Sequence, residues 1–358
     1  MSQRTAYLTL VLSGLLAACS STQPFNPTTG GSTTGAGSTT TGGTAVSVST
    51  VATFYQNGGC PQPPTVVAID PSGVVYAVNG SLNVIQADGG VSNLLPLVGD
   101  VLAVAVSSAG VFISEGDPIS LFSVSSFTQK FLTGGSTGCD DSTPGVDGGV
   151  GFGWGRALAA DASDNVYVAD WNGLGCTRIR KVLFNGTTQP LSGTGDTGYA
   201  DGPGASAVFH EPSGIAVDIN KNVYVSDSAN NRIRLITSDG TTTTLAGNGD
   251  AGFDDNDGPP NTPSSATFNF PTGIAVDAVG NLYVADTNNN AIRMISPDGG
   301  TTTLAGNGTK GNFNGTLGRD GTSEFSYPLS VAVDRKGDVY VADQGNCAIR
   351  MIKPAPAK

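Results

Sequence analysis

The sequence predicts an all-β fold, a six-bladed β-propeller closed by its own amino-terminal strand, and three observations carry that expectation. Four short β-rich runs recur in a fixed order along most of the chain. The runs are β-branched and aromatic and are parted by Gly, Asn and Asp, which is the chemistry of strands and tight turns. The last copy stops after its third run, while a strand-like segment precedes the first. Composition agrees, since 51 glycines and 20 prolines in 358 residues suit a turn-dense β-protein better than a helical one.

The chain begins like an export signal, with Arg4, an apolar run from Ala6 to Leu16, then Ala17 and Ala18. That run is too short for a permanent span. Leu16-Ala17-Ala18-Cys19 resembles the bacterial lipobox, whose cysteine carries diacylglycerol and becomes the mature amino terminus. The alternative is an ordinary secretory peptide with a cysteine near its cleavage site. The lipobox resemblance implies a lipid anchor on Cys19 and, with Ser20 rather than Asp after it, the outer membrane or cell surface of a bacterium. Residues 1–18 are thus read as a signal peptide and 19–44 as a tether of Ser, Thr and Gly that buries too little apolar surface to fold. The propeller is expected over 45–358.

The repeat is clearest in Pro212-Ser213-Gly214-Ile215-Ala216-Val217-Asp218, Asn222-Val223-Tyr224-Val225-Ser226-Asp227, Arg232-Ile233-Arg234-Leu235-Ile236 and Thr242-Thr243-Thr244-Leu245-Ala246-Gly247. It returns from Pro271 and from Pro328, more weakly from Ala157, and in degenerate form around Val66–Ile69 and Val104–Val106. GIAVD and VYVAD alternate little, as expected of strands packed between two neighbours. One such unit cannot bury both faces, but a closed ring of them can. Val46–Ala52 then supplies the strand missing from the sixth unit.

These motifs resemble the NHL repeat, whose arrays form β-propellers with one four-stranded sheet per repeat. The signature positions read Asn230-Asn231-Arg232, Asn289-Asn290-Ala291 and Asn346-Cys347-Ala348, so the Asn persists while His and Leu do not. The resemblance covers about residues 45 to 352 and is specific in the last four copies.

Four cysteines remain besides Cys19, a number that suggests two disulfides in an exported protein. In a propeller, Cys176 and Cys347 fall between second and third strands, and Cys60 and Cys139 fall in loops leading into a first strand, all on one face. The expected pairs are Cys139–Cys176 and Cys60–Cys347. A metal site built from these cysteines is the alternative, and no CxxC spacing favours it.

The loops 196–209, 250–270 and 309–327 are long, acidic and Gly-rich and share an Asp-Gly, Phe, Pro order in which the Phe is expected to anchor the loop. Asp170, Asp227, Asp286 and Asp343 recur once per repeat and are expected to cap the following turn through backbone N–H groups. Arg180, Arg234, Arg293 and Arg350 recur likewise and are expected to pair with acidic groups between blades. Asp254-Asp255-Asn256-Asp257-Gly258 has the oxygen density of a calcium loop but lacks its spacing, and is read as a solvated loop.

A net charge of −12, from 17 Lys+Arg against 29 Asp+Glu, leaves no footprint for nucleic acid or an anionic membrane surface. His210 is the only histidine, which excludes a multi-histidine zinc site such as a propeller amidating lyase needs. No nucleotide or phosphate loop is present, so no cofactor and no metal are expected. The expectation is a monomeric, non-catalytic platform whose loop-bearing face, carrying Trp154, Trp171, His210 and Phe270, binds a protein, peptide or glycan. Membrane contact is expected through the lipid on Cys19 alone. The alternative is a metal-dependent gluconolactonase-type hydrolase with carboxylates in the central channel.

Overall fold

A computed structural model describes residues 47–55, 59–96, 101–115, 118–126, 128–134, 151–152, 157–171, 176–256 and 265–354. The signal, the tether, Cys139 and Trp154 lie outside the described residues.

Six four-stranded antiparallel sheets follow one another around an axis. From the innermost strand outward, blade 1 is Val66–Ile69, Val75–Val78, Ser81–Ile85 and Val91–Pro96. Blade 2 is Ala103–Ser107, Gly110–Ser114, Ile119–Ser123 and Thr128–Thr133. Blade 3 is Ala157–Ala160, Val166–Asp170, Thr177–Val182 and Thr188–Gly195. Blades 4 and 5 run Pro212–Val217, Val223–Asp227, Arg232–Ile236, Thr242–Ala246 and Pro271–Val276, Leu282–Asp286, Ala291–Ile295, Thr301–Ala305. Blade 6 takes Pro328–Val333, Val339–Asp343 and Ala348–Lys353 from the end of the chain and Ser47–Thr53 from its beginning. That closing strand pairs antiparallel with the third strand from Ser47↔Lys353 to Thr53↔Ala348, with an irregularity between Thr50 and Ala52.

The core lies between blades. One cluster joins Tyr283, Ala285 and Ile292 of blade 5 to Val331, Val339, Val341 and Ile352 of blade 6, and another joins Ala342 and Ile349 of blade 6 to Val67 and Ala77 of blade 1. This is why Val166–Asp170, Val223–Asp227 and Leu282–Asp286 are buried at every position instead of alternating. Each buried Val, Ile or Leu contributes about 1.5–3 kcal/mol, so the ring gains stability with every seam it closes.

The innermost strands converge closely where they start. A Cβ on Gly214 would sit 2.0 Å from the Thr272 carbonyl oxygen of the next blade, and one on Gly273 would sit 2.5 Å from Ser330 Cα. Farther along, the same strands diverge to line an axial cavity of about 210 Å³.

Candidate functional site

The second-strand aspartates and third-strand arginines form a buried pair inside each of blades 3 to 6. Arg Nη1 lies 2.9, 2.6, 2.8 and 2.8 Å from the carboxylates of Asp170, Asp227, Asp286 and Asp343, and these side chains are almost wholly excluded from water. The acidic partners expected between blades are present in two of the linking loops, Asp201 for Arg234 and Asp255 for Arg293, and each arginine also binds the aspartate of its own sheet. The capping expectation is corrected. Asp227, Asp286 and Asp343 make no side-chain cap to the turn that follows them. Their Oδ1 accepts the backbone N–H of His210, Asn269 and Ser326, in the loop leading into the blade.

Their Oδ2 accepts the Nδ2–H of Asn230, Asn289 and Asn346, the persistent Asn of the repeat. That amide also donates to the loop carbonyls of Gly198, Gly252 and Gly311. Burial pushes the Asp286 carboxyl up to about 6, against the pull of Arg293 and its hydrogen-bond donors, and raises Asp227 and Asp343 likewise. Desolvation therefore outweighs attraction, so the pair is poor as a source of stability and good as a fixed geometry.

The other guanidinium nitrogen reaches outward to the long loops. Arg234 Nη2 donates to Asp201, Arg293 Nη2 to Asp255 and Arg350 Nη2 to Asn314. Phe209, Phe268 and Phe325 are fully buried beneath the loops, each with a guanidinium about 5 Å over its ring. The phenylalanine anchors are as expected, and the calcium-like loop is solvated at the Asp254 side chain, 68% exposed, but not at Asp255. Asp255 is held by Arg293 and Thr303, and the Asp254 carbonyl by Arg293. Asp257 and Gly258 lie outside the described residues. Among the described residues, no three His, Cys, Asp or Glu side chains are grouped to hold a metal ion.

Loops and second-to-third strand turns share one face of the ring. There the residue before each repeat proline is left-handed, with φ of 52° at Glu211, 55° at Phe270 and 51° at Tyr327. A residue before proline normally stays extended, and a non-glycine in this region costs of order 1–3 kcal/mol. The preceding blade fixes the conformation, because Asn231 Oδ1 accepts the Phe270 N–H and Asn290 Oδ1 accepts the Tyr327 N–H. Cys347 holds the corresponding left-handed position in blade 6. It is joined to Cys60 by a disulfide with Cα atoms 6.0 Å apart. Cys176 is buried and disulfide-bonded, and its expected partner Cys139 is outside the described residues.

Of the residues expected on the binding face, Trp171, His210 and Phe270 are half-buried and come from successive blades 3, 4 and 5. Glu211 and Tyr327, the latter 43% exposed with Lys310 Nζ 4.2 Å over its ring, were missed by sequence reasoning. Their signal was the shared position before Pro212, Pro271 and Pro328. The axial cavity is lined by aliphatic side chains from all six innermost strands, among them Ile69, Val106, Ala160, Val217, Val276 and Val333. The polar groups exposed there belong to the strand backbones.

The opposite face carries a second repeated carboxylate. Asp70, Asp161 and Asp218 each accept backbone N–H bonds from residues two and four positions on, fixing the inner hairpin turns. Tyr76, Tyr167 and Tyr224 donate their hydroxyls to the same carboxylates. Burial, then the adjacent negative charge, pushes these phenols up to about 12.

Residues 209–234, 268–293 and 325–350 match the NHL repeat family, so the chain carries NHL repeats and folds as an NHL-repeat β-propeller. It is 32% identical over 168 residues to Protein SUPPRESSOR OF QUENCHING 1, chloroplastic, of Arabidopsis thaliana. It is 38% identical over 118 residues to NHL repeat-containing protein 2 of Homo sapiens. These matches cover 45% and 32% of this chain and 16% of each relative. Among solved structures, an auxiliary nutrient binding protein from Bacteroides thetaiotaomicron superposes with a TM-score of 0.63 at 18% identity, over 86% of this chain and 76% of that one. A gluconolactonase from Xanthomonas campestris superposes with a TM-score of 0.56 at 14% identity, over 85% and 88%. At these identities the likeness concerns the fold alone.

Proposed function

We propose that this propeller is a non-catalytic binding module held outside the cytoplasm by the lipid on Cys19, taking a soluble nutrient, a glycan or peptide, on its loop-bearing face. The observation that carries this reading is the lining of the axial channel. A lactonase-like mechanism needs carboxylates converging on a metal there, whereas the lining side chains are aliphatic and the repeated aspartates are engaged by Arg, Asn and backbone N–H groups. The rim instead offers Phe270 and Tyr327 on backbone fixed by neighbouring blades, with Glu211 at the same repeat position, which is preorganisation suited to binding. The Cys60–Cys347 disulfide supports a life in an oxidising compartment. The nutrient-binding description of a similar fold supports the ligand class.

The test is glycan-array and peptide-array binding by the purified propeller, with lactone hydrolysis and metal content measured on the same sample. Phe270→Ala and Tyr327→Ala are expected to weaken the captured ligand about tenfold each, roughly 1.4 kcal/mol, at unchanged fold. Stoichiometric metal with lactone turnover would overturn the reading in favour of the hydrolase.

A further inference from the structure

We infer that Asn314 is a deamidation site, and that its aspartate product completes in blade 6 the loop-to-blade ion pair that blades 4 and 5 already carry. The three long loops make the same contact at the same place. In blade 4, Arg234 Nη2 donates to the Ala200 carbonyl and the Asp201 carboxylate, and Asp201 also binds the N–H and hydroxyl of Thr244 in the outermost strand. In blade 5, Arg293 Nη2 donates to the Asp254 carbonyl and the Asp255 carboxylate, and Asp255 accepts from the Thr303 hydroxyl. In blade 6, Arg350 Nη2 donates to the Phe313 carbonyl and to Asn314 Oδ1 at 2.7 Å, and Thr50 of the closing strand donates to that oxygen. Asp201, Asp255 and Asn314 are structurally equivalent, so the ring has a neutral amide in the one blade whose outermost strand comes from the other end of the chain.

The residue after Asn314 is Gly315, the neighbour that obstructs imide formation least. The Gly315 backbone nitrogen attacks Asn314 Cγ, its proton passes to the departing amino group, the Cγ–Nδ2 bond breaks and ammonia leaves. Water then opens the cyclic imide at one of its two carbonyls, giving aspartate or isoaspartate. No oxidant or further reactant is needed. Two features of this chain favour the step. The Arg350 guanidinium on Oδ1 draws electrons from Cγ and stabilises the oxyanion that forms on that oxygen during attack. Asn314 is exposed to water, and residues 312–317 are in neither strand nor helix, so no ladder hydrogen bond has to break before Gly315 N reaches Cγ. Once formed, the carboxylate meets the guanidinium already in place. The bond becomes charge-assisted, like those to Asp201 and Asp255.

The experiment ages the purified full chain in mildly alkaline buffer and follows its Asn-Gly peptides by mass spectrometry. Asn185-Gly186, an exposed hairpin turn, and Asn79-Gly80 serve as internal controls. Amide-to-acid conversion at Asn314 ahead of both controls is expected, and Asn314→Gln should abolish it at that peptide. Asn314→Asp, which mimics the product, should raise Tm by about 1–3 °C, the effect of one partly exposed ion pair in a domain of this size. Persistence of the Asn314 amide while Asn185 converts would overturn the assignment of the site. An unchanged or lowered Tm in Asn314→Asp would overturn the role of the product.

Discussion

Blade 1 and blade 5 solve the same problem with different chemistry. In blade 5, Arg293 stands opposite Val284 and binds Asp286. In blade 1, Asn83 stands at the corresponding place opposite Ala77, and its amide donates to Asn79 Oδ1 at 2.6 Å and to the carbonyls of Ala77 and Ser81. Blade 2 places Ser120 there, opposite Ile113. A neutral hydrogen-bonded centre therefore suffices to hold a blade together. The charged version occurs where a long loop leads into the sheet, as in 247–270 for blade 5, and is lacking where residues 54–65 and 97–102 lead into blades 1 and 2. The difference teaches that the buried arginine is a loop anchor, with Nη1 shared between the aspartate of the sheet and a loop carbonyl and Nη2 given to the loop.

The sharpest way to break this comparison is to remove the cation. Arg293→Met leaves Asp286 buried without its partner and is expected to cost about 3–5 kcal/mol in denaturant unfolding, with hydrogen exchange rising in 250–256. Asn83→Ala in blade 1 is expected to cost about 1–3 kcal/mol, with no exchange change in any long loop. Equal costs, or an unmoved loop, would refute the anchor role. Next in size is the seam between blades 6 and 1, where Cys347–Cys60 occupies the place that Asn231 and Asn290 fill at other seams. Cys60→Ser with Cys347→Ser should lower stability by about 2–4 kcal/mol, and exchange should rise first in Ser47–Thr53.

The smallest effect concerns the opposite face and its buried phenols. Folding raises the Tyr224 pKa from 10.0 to about 12, so its contribution is complete below pH 10 and is lost as pH rises from 10 towards 12. Tyr224→Phe should therefore be less stable at neutral pH by about 0.5–1.5 kcal/mol, from the lost bond to Asp218. Its urea midpoint should then fall less than that of the parent protein between pH 10 and 12. A parallel fall would show that the phenol titrates freely in the folded state.

The strand count, the ring and the closing strand were legible because each repeat prints its own turn residues, and because a missing fourth strand at one end matches a surplus one at the other. The partners of Asp286 and Arg293 were not legible. Recurrence identified them as scaffold, but the aspartate's backbone donor, Asn269, lies seventeen positions upstream in the loop, a contact that only the loop's path defines. That Arg293 holds Asp255 was hidden for the same reason. The left-handed residues before proline were hidden by local rules, since intrinsic preference puts such residues in extended conformation and the preceding blade overrides it.

The closing strand also sets a timetable for synthesis. Ser47–Thr53 is made ahead of the other described strands and its partner Ala348–Lys353 after them, so at about 5–20 residues per second it waits roughly 15–60 s for its place. During that interval it is a nascent edge that could recruit the wrong chain. Its sequence, SVSTVAT, carries four hydroxyl residues and no charge, so its protection rests on its seven-residue length and on the irregularity between Thr50 and Ala52.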